Sequence, residues 1–211
     1  MAFETSNPGG GATNAGGIAT ATAPLTAPIP VKIVIAGGFG VGKTTMVGTI
    51  SEITPLSTEA AMTTVGANVD DTSMVTTKTT TTVAMDFGRI TIGNRIVLYL
   101  FGTPGQDRFG FMWDDLVQGA LGAVILVDSR RIEDAFPALD YFEERKMPFI
   151  VAVNMFDGGL YHDLESVRDA LNVDSETPMV ATDARNPQYV KETLIALLER
   201  VIHIAVDKSR G

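Results

Sequence analysis

The chain has 211 residues, 45% of them apolar and 19% charged, which suits one α/β domain with a tail. Sixteen basic against 25 acidic residues leave a net charge of −9, which argues against non-specific binding to nucleic acid or to an anionic membrane. The absence of cysteine rules out disulfides, thiolate metal sites and C-terminal prenylation, and no apolar run is long enough for a membrane span.

Residues 1–30 are rich in Gly, Ala, Thr and Pro and have little to bury, so a disordered tail is expected there. The ordered domain is expected over 31–206, with a short tail at 207–211. Strand-like and helix-like segments then alternate. The spacing predicts strands over 31–36, 82–92, 95–101, 123–128, 149–154 and 179–181. Helices are expected over 44–53, 110–118, 132–145, 162–171 and 187–206. Gly93-Asn94 marks a hairpin between the second and third strands, so one antiparallel edge strand joins an otherwise parallel sheet of six. Residues 54–80 show no clear periodicity and read as a long connecting segment. Near-continuous apolar strands covered on both faces make this a doubly wound domain, whose ligands sit at the carboxyl ends of the strands.

The first such end carries the strongest motif. Gly37-Gly38-Phe39-Gly40-Val41-Gly42-Lys43-Thr44 follows the apolar run Val31–Ala36 and opens a helix. This is the G-x-x-x-x-G-K-[ST] phosphate loop in its structural context. Its glycines bring backbone N–H groups close to a polyphosphate, Lys43 reaches the β- and γ-phosphates, and Thr44 offers a hydroxyl to Mg²⁺. The nucleotide-binding residues expected here are Gly38, Gly40, Val41, Gly42, Lys43, Thr44 and Thr45.

Three further segments resemble Ras-like GTPases. Thr103-Pro104-Gly105-Gln106-Asp107-Arg108-Phe109 after an apolar strand looks like switch II. The resemblance implies that Gly105 senses the γ-phosphate and Gln106 positions the attacking water, making Gln106 and Lys43 the catalytic residues. Where the family has an aspartate supporting Mg²⁺, four residues before the glutamine, this chain has Gly102. Asn154-Met155-Phe156-Asp157 is similar to the guanine motif Asn-Lys-x-Asp, with Met155 in place of the lysine. A carboxylate at Asp157 can accept the two N–H bonds that guanine offers and adenine lacks, which disfavours a kinase or ATPase. Asp183-Ala184-Arg185 resembles the Ser-Ala-Lys loop, in which the alanine N–H bonds guanine O6. Thr82, with Thr81 as the alternative, is the expected switch I ligand of Mg²⁺ alongside Thr44.

The pieces Thr80–Arg89, Gly102–Phe109 and Val153–Asp157 resemble the bacterial mutual-gliding-protein-like branch, and within it the GTPases of actinobacterial conservon operons. That resemblance implies a Ras-like G domain that binds GTP or GDP with Mg²⁺ and hydrolyses GTP slowly in a signalling system. It also implies a Roadblock-type regulatory protein and a sensor-kinase-like protein as partners, and a cytoplasmic location with membrane contact made only through a partner. Arg89 and Arg108 are the arginines weighed for a catalytic role. A guanine-nucleotide-dependent binding module with negligible hydrolysis is the alternative, motivated by Gly102 and Met155.

Overall fold

The computed structural model describes residues 27–63, 80–93, 95–105 and 112–210, with side chains omitted at 57–63 and 80–84. The expected α/β architecture is present, with a sheet in the order β2-β3-β4-β1-β5-β6-β7. Its strands are β1 (Ile29–Ala36), β2 (Leu56–Thr63), β3 (Thr80–Ile92), β4 (Ile96–Gly102), β5 (Ala120–Val127), β6 (Phe149–Asn154) and β7 (Met179–Thr182). Only β3 runs against its neighbours, pairing antiparallel with both β2 and β4.

The sheet therefore has seven strands where six were expected, and the antiparallel strand lies inside the edge. The added strand is β2, in a stretch with no period-two pattern of its own. It forms because the outer edge of β3 offers an unpaired ladder, which Leu56 to Thr63 fills in continuous register from Phe87 to Thr80. In the β3–β4 hairpin Ile92 pairs with Ile96, so the loop is three residues, with Gly93 at φ 59°.

The central strands alternate between two cores. In β1, Val34 and Ala36 face one cluster while Ile33 and Ile35 face the other, and all four are fully buried. This is why β1 reads as a continuous apolar run. Helices α1 (Lys43–Ile50) and α5 (Pro187–Arg210) cover the Ile33 face. Helices α2 (Trp113–Val117), α3 (Phe136–Glu144) and α4 (Leu164–Leu171) cover the other.

Helix limits differ from the expectation for local reasons. Asp163 caps α4 by accepting Ser166 N–H at 2.9 Å, so that helix starts at Leu164. Residues 132–135 form a 3-10 turn before α3. Helix α5 continues through 207–210, where a tail was expected. Strand β1 begins at Ile29, just inside the expected N-terminal tail; residues 1–26 lie outside the described residues. Among the described residues no helix is long and apolar enough to cross a membrane.

Candidate functional site: a phosphate cavity and a base loop

The loop between β1 and α1 sits where the chain's direction across the sheet reverses, because β1 lies between β4 and β5. Gly42, the residue before α1, has φ 111°, a conformation that other residues adopt only under strain. Lys43 folds back over the loop, and its ammonium donates to Gly37 O at 2.7 Å and Gly38 O at 2.6 Å. Two of its three protons are thereby used within the loop, which leaves one for a phosphate oxygen. Lys43 is only 7% exposed. Burial pulls its pKa down to about 8, partly offset by the nearby Asp86 carboxylate.

Asp86 was not among the expected site residues, yet it completes the cavity. It comes from β3, is buried, and accepts the Thr44 hydroxyl at 2.6 Å on Oδ2. Its partner across the β3–β4 ladder is Gly102, the position at which the resemblance to Ras-like GTPases would have an aspartate. A Cβ at Gly102 would stand 3.2 Å from Asp86 Oδ2, so the glycine makes room for a carboxylate delivered from the neighbouring strand. Asp86 was not legible: the expected two-residue turn would set it opposite Phe101, and the three-residue loop shifts it to Gly102.

Thr44, Thr45, Asp86, Thr103 and Gly105 line one cavity of about 330 Å³ with Phe39, Gly40, Gly42 and Lys43. Gly105 approaches the loop so closely that a Cβ there would lie 2.6 Å from Lys43 Nζ and 2.9 Å from Phe39 Cα. The Thr103 hydroxyl is buried with no hydrogen-bond partner. An orphaned hydroxyl, the Thr44 hydroxyl and a buried carboxylate in one cavity are hard oxygen donors of the kind Mg²⁺ takes, with waters and phosphates completing its shell. These residues fit the ion. Among the described residues no group of three His, Cys, Asp or Glu side chains forms a metal site without a nucleotide.

Asn154 joins the base side of the site to the phosphate loop. It is 5% exposed; its Nδ2 donates to Val41 O at 2.9 Å, and its Oδ1 accepts Ala184 N–H at 3.0 Å. One side chain thus ties together the ends of β1, β6 and β7. The Ala184 N–H assigned to guanine O6 is engaged by Asn154 in this structure, so contact with the base requires that bond to be shared or exchanged. Met155 is fixed through its backbone N–H to Thr182 O at 2.7 Å. Asp157 adopts φ 55°, and its Oδ2 accepts the Tyr161 hydroxyl at 2.8 Å. Arg185 pairs with Asp183 at 2.9 Å and holds that carboxyl below its ordinary range.

Arg130 and Arg131 were also missed. They follow β5, where the buried Asp128 takes Arg130 through two hydrogen bonds of 2.8 and 2.7 Å. The Arg130 guanidinium lies 4.0 Å from the centre of the Phe156 ring, against the base loop, and Arg131 reaches the phosphate loop at Phe39 O, 3.1 Å away. Two adjacent arginines after a buried strand carry no motif that would have marked them.

Thr82 lies in β3 opposite Ala61, four residues before Asp86, or about 13 Å along the strand. Arg89 sits at the far end of α1, where its N–H donates to the Ser51 hydroxyl. Gln106 and Arg108 lie outside the described residues. Trp113 is buried and packs edge-on against Tyr141 with ring centres 5.0 Å apart. A larger cavity of about 790 Å³ lies around Phe149 at the opposite end of β6, away from the phosphate loop; Lys146 and Arg200 line it together with Glu143, Asp174 and Glu176.

An uncharacterised protein of Methanocaldococcus jannaschii is 29% identical over 131 residues, which is 61% of this chain and 72% of that protein. The G domain of the Thermotoga maritima FeoB iron transporter superposes with a TM-score of 0.56 at 19% identity, over 82% of this chain and 99% of that one. It shares the fold of this chain. Residues 35–208 match the family described as "Conserved hypothetical ATP binding protein". With a phosphate loop closing a G-domain sheet, the chain is a P-loop nucleotide-binding protein and belongs to that family.

Proposed function

We propose that this protein is a small GTPase switch that binds GTP and GDP with Mg²⁺ and hydrolyses GTP slowly. The observation that carries the reading is Asn154, which bonds Val41 O and Ala184 N–H at once and so sets the Asp157 loop beside the phosphate loop. Asp157 offers a carboxylate to guanine N1–H and N2–H. Adenine would leave that carboxylate unpaired, a strong discrimination.

Lys43 and the loop amides hold the β- and γ-phosphates. Thr44 and Asp86 would hold Mg²⁺, with Thr103 beside them. When bound, the ion supplies neutralising charge on the β- and γ-oxygens. Gly105 senses the terminal phosphate and Gln106 orients the water. Motif resemblance supports the conservon-type signalling role, with Roadblock-type and sensor-kinase-like partners.

A binding module with negligible turnover is the second reading. Phe39 favours it: a large aromatic, 66% exposed, it lines the cavity beside Gly105 and crowds the approach of water. Denaturing the purified protein and separating the released nucleotide tests the class. A guanosine phosphate supports the reading, and an adenosine phosphate overturns it. Single-turnover phosphate release then separates the switch from the module.

A further inference from the structure

Arg131 stands behind the phosphate loop. Its Nη2 donates to Phe39 O at 3.1 Å, its Nη1 lies 3.4 Å from Asp134 Oδ2, and its Nε lies 3.8 Å from the buried Asp128 Oδ2. Asp128, already fixed by Arg130, anchors the guanidinium from below. Arg131 does not line the phosphate cavity; it lines the adjoining one with Gly38, Phe39 and Gly105.

The Phe39–Gly40 peptide is trans, so its C=O and its N–H point in opposite directions. A cation on the Phe39 oxygen therefore fixes the direction of the Gly40 N–H and, by drawing charge toward the oxygen, makes that N–H a stronger donor. Gly40 does line the phosphate cavity. Its peptide lies at the end nearest Gly105, whose Cβ position is 2.9 Å from Phe39 Cα; on the GTPase reading, in which Gly105 meets the terminal phosphate, the bond between the β- and γ-phosphates falls at that end.

We propose that Arg131 is a positioning residue that aims and polarises the Gly40 N–H toward the oxygen bridging the β- and γ-phosphates. This rests on the GTPase reading above. In the reaction, water oxygen bonds to the γ-phosphorus and the bond from that phosphorus to the bridging oxygen breaks. The electron pair stays on the nucleoside diphosphate, and the water protons pass to the released phosphate and solvent. The bridging oxygen thus gains charge, and a stronger donor there stabilises the transition state more than the ground state.

The test compares the wild type, Arg131→Met and Arg131→Lys in binding GTPγS, which has a bridging oxygen, and β,γ-methylene GTP, which has no acceptor at the bridge. Thermal melts establish that each variant is folded. The preference for GTPγS is expected to fall about fivefold in Arg131→Met and to recover in part in Arg131→Lys, with single-turnover GTP cleavage following the same order. Equal weakening of both analogues would mean that Arg131 only fastens the loop, which overturns the proposal. If Arg131→Met does not fold, Arg131→Lys decides alone: a preference lowered from wild type supports the proposal and an unchanged one overturns it. Failure of the wild type to bind either analogue, with or without Mg²⁺, is a different result, because it removes the GTPase reading itself.

Discussion

Asp86 faces Gly102 across the antiparallel β3–β4 ladder, and its carboxylate accepts the Thr44 hydroxyl at 2.6 Å. That carboxylate reaches Thr44 from one strand over, in space that Gly102 leaves open; on the GTPase reading it stands in for the aspartate that position 102 lacks.

Replacing Asp86 by Asn should therefore weaken Mg²⁺ support without emptying the nucleotide site. The expected loss in metal affinity is roughly 10- to 100-fold, read as the shrinking difference between GTP affinities in Mg²⁺ and in EDTA. The double change Asp86→Gly with Gly102→Asp returns the carboxylate to the other strand and should recover part of that difference. An undiminished Mg²⁺ response in Asp86→Asn would take Asp86 out of the site.

Asn154→Ala removes a donor and an acceptor at a buried junction, leaving Val41 O and Ala184 N–H without their partner. The cost should be about 2–4 kcal/mol in chemical denaturation of the nucleotide-free protein. A change below about 0.5 kcal/mol would show that the junction holds by other contacts.

Lys43 gives nucleotide binding a pH dependence. Its pKa of about 8 in the free site should rise once a polyphosphate lies against it. Binding then takes up a proton near and above pH 8, and affinity falls as pH rises through that value. Calorimetry in buffers of different ionisation enthalpy measures the uptake, and no buffer dependence near pH 8 would refute it. Stability of the free protein moves the other way. Unfolding returns Lys43 to its ordinary 10.5, so the unfolded chain binds more protons between about pH 8 and 10.5. The burial penalty is fully present below pH 8 and fades as pH climbs through that window.

Tyr161 occupies one oxygen of Asp157 at 2.8 Å. Guanine takes one lone pair on each oxygen, so Tyr161→Phe removes a donor that competes with a guanine N–H at Oδ2. GDP affinity should rise about fivefold, measured by equilibrium titration. Asp157→Asn should lower it by at least about 100-fold, because the amide cannot accept both guanine N–H groups. Equal GDP binding by Asp157→Asn and wild type would remove the guanine assignment.

Legibility followed the range of the interactions. The β1 strand and phosphate loop could be read directly, because an apolar run, four glycines and Lys43-Thr44 are neighbours in the chain. Asn154 and its tie to the phosphate loop could be read from the likeness of Asn154–Asp157 to the guanine motif, although its bond to Ala184 N–H could not. Strand β2 was invisible, since Leu56–Thr63 has no alternation and takes its conformation from the edge of β3. Motif register pointed to Thr82, and the structure adds only its pairing with Ala61 in the β2–β3 ladder.

The sequence by itself determined that a polyphosphate site opens the domain, because backbone geometry over a few consecutive residues makes such a site. The tertiary structure alone decided which carboxylate lies against Thr44 and which arginine reaches the loop. Asp86 meets Thr44 through the register of an antiparallel ladder, and Arg131 meets Phe39 through the packing of β5 beside β1. Those contacts join residues far apart in the chain, and no local pattern encodes the distance between them.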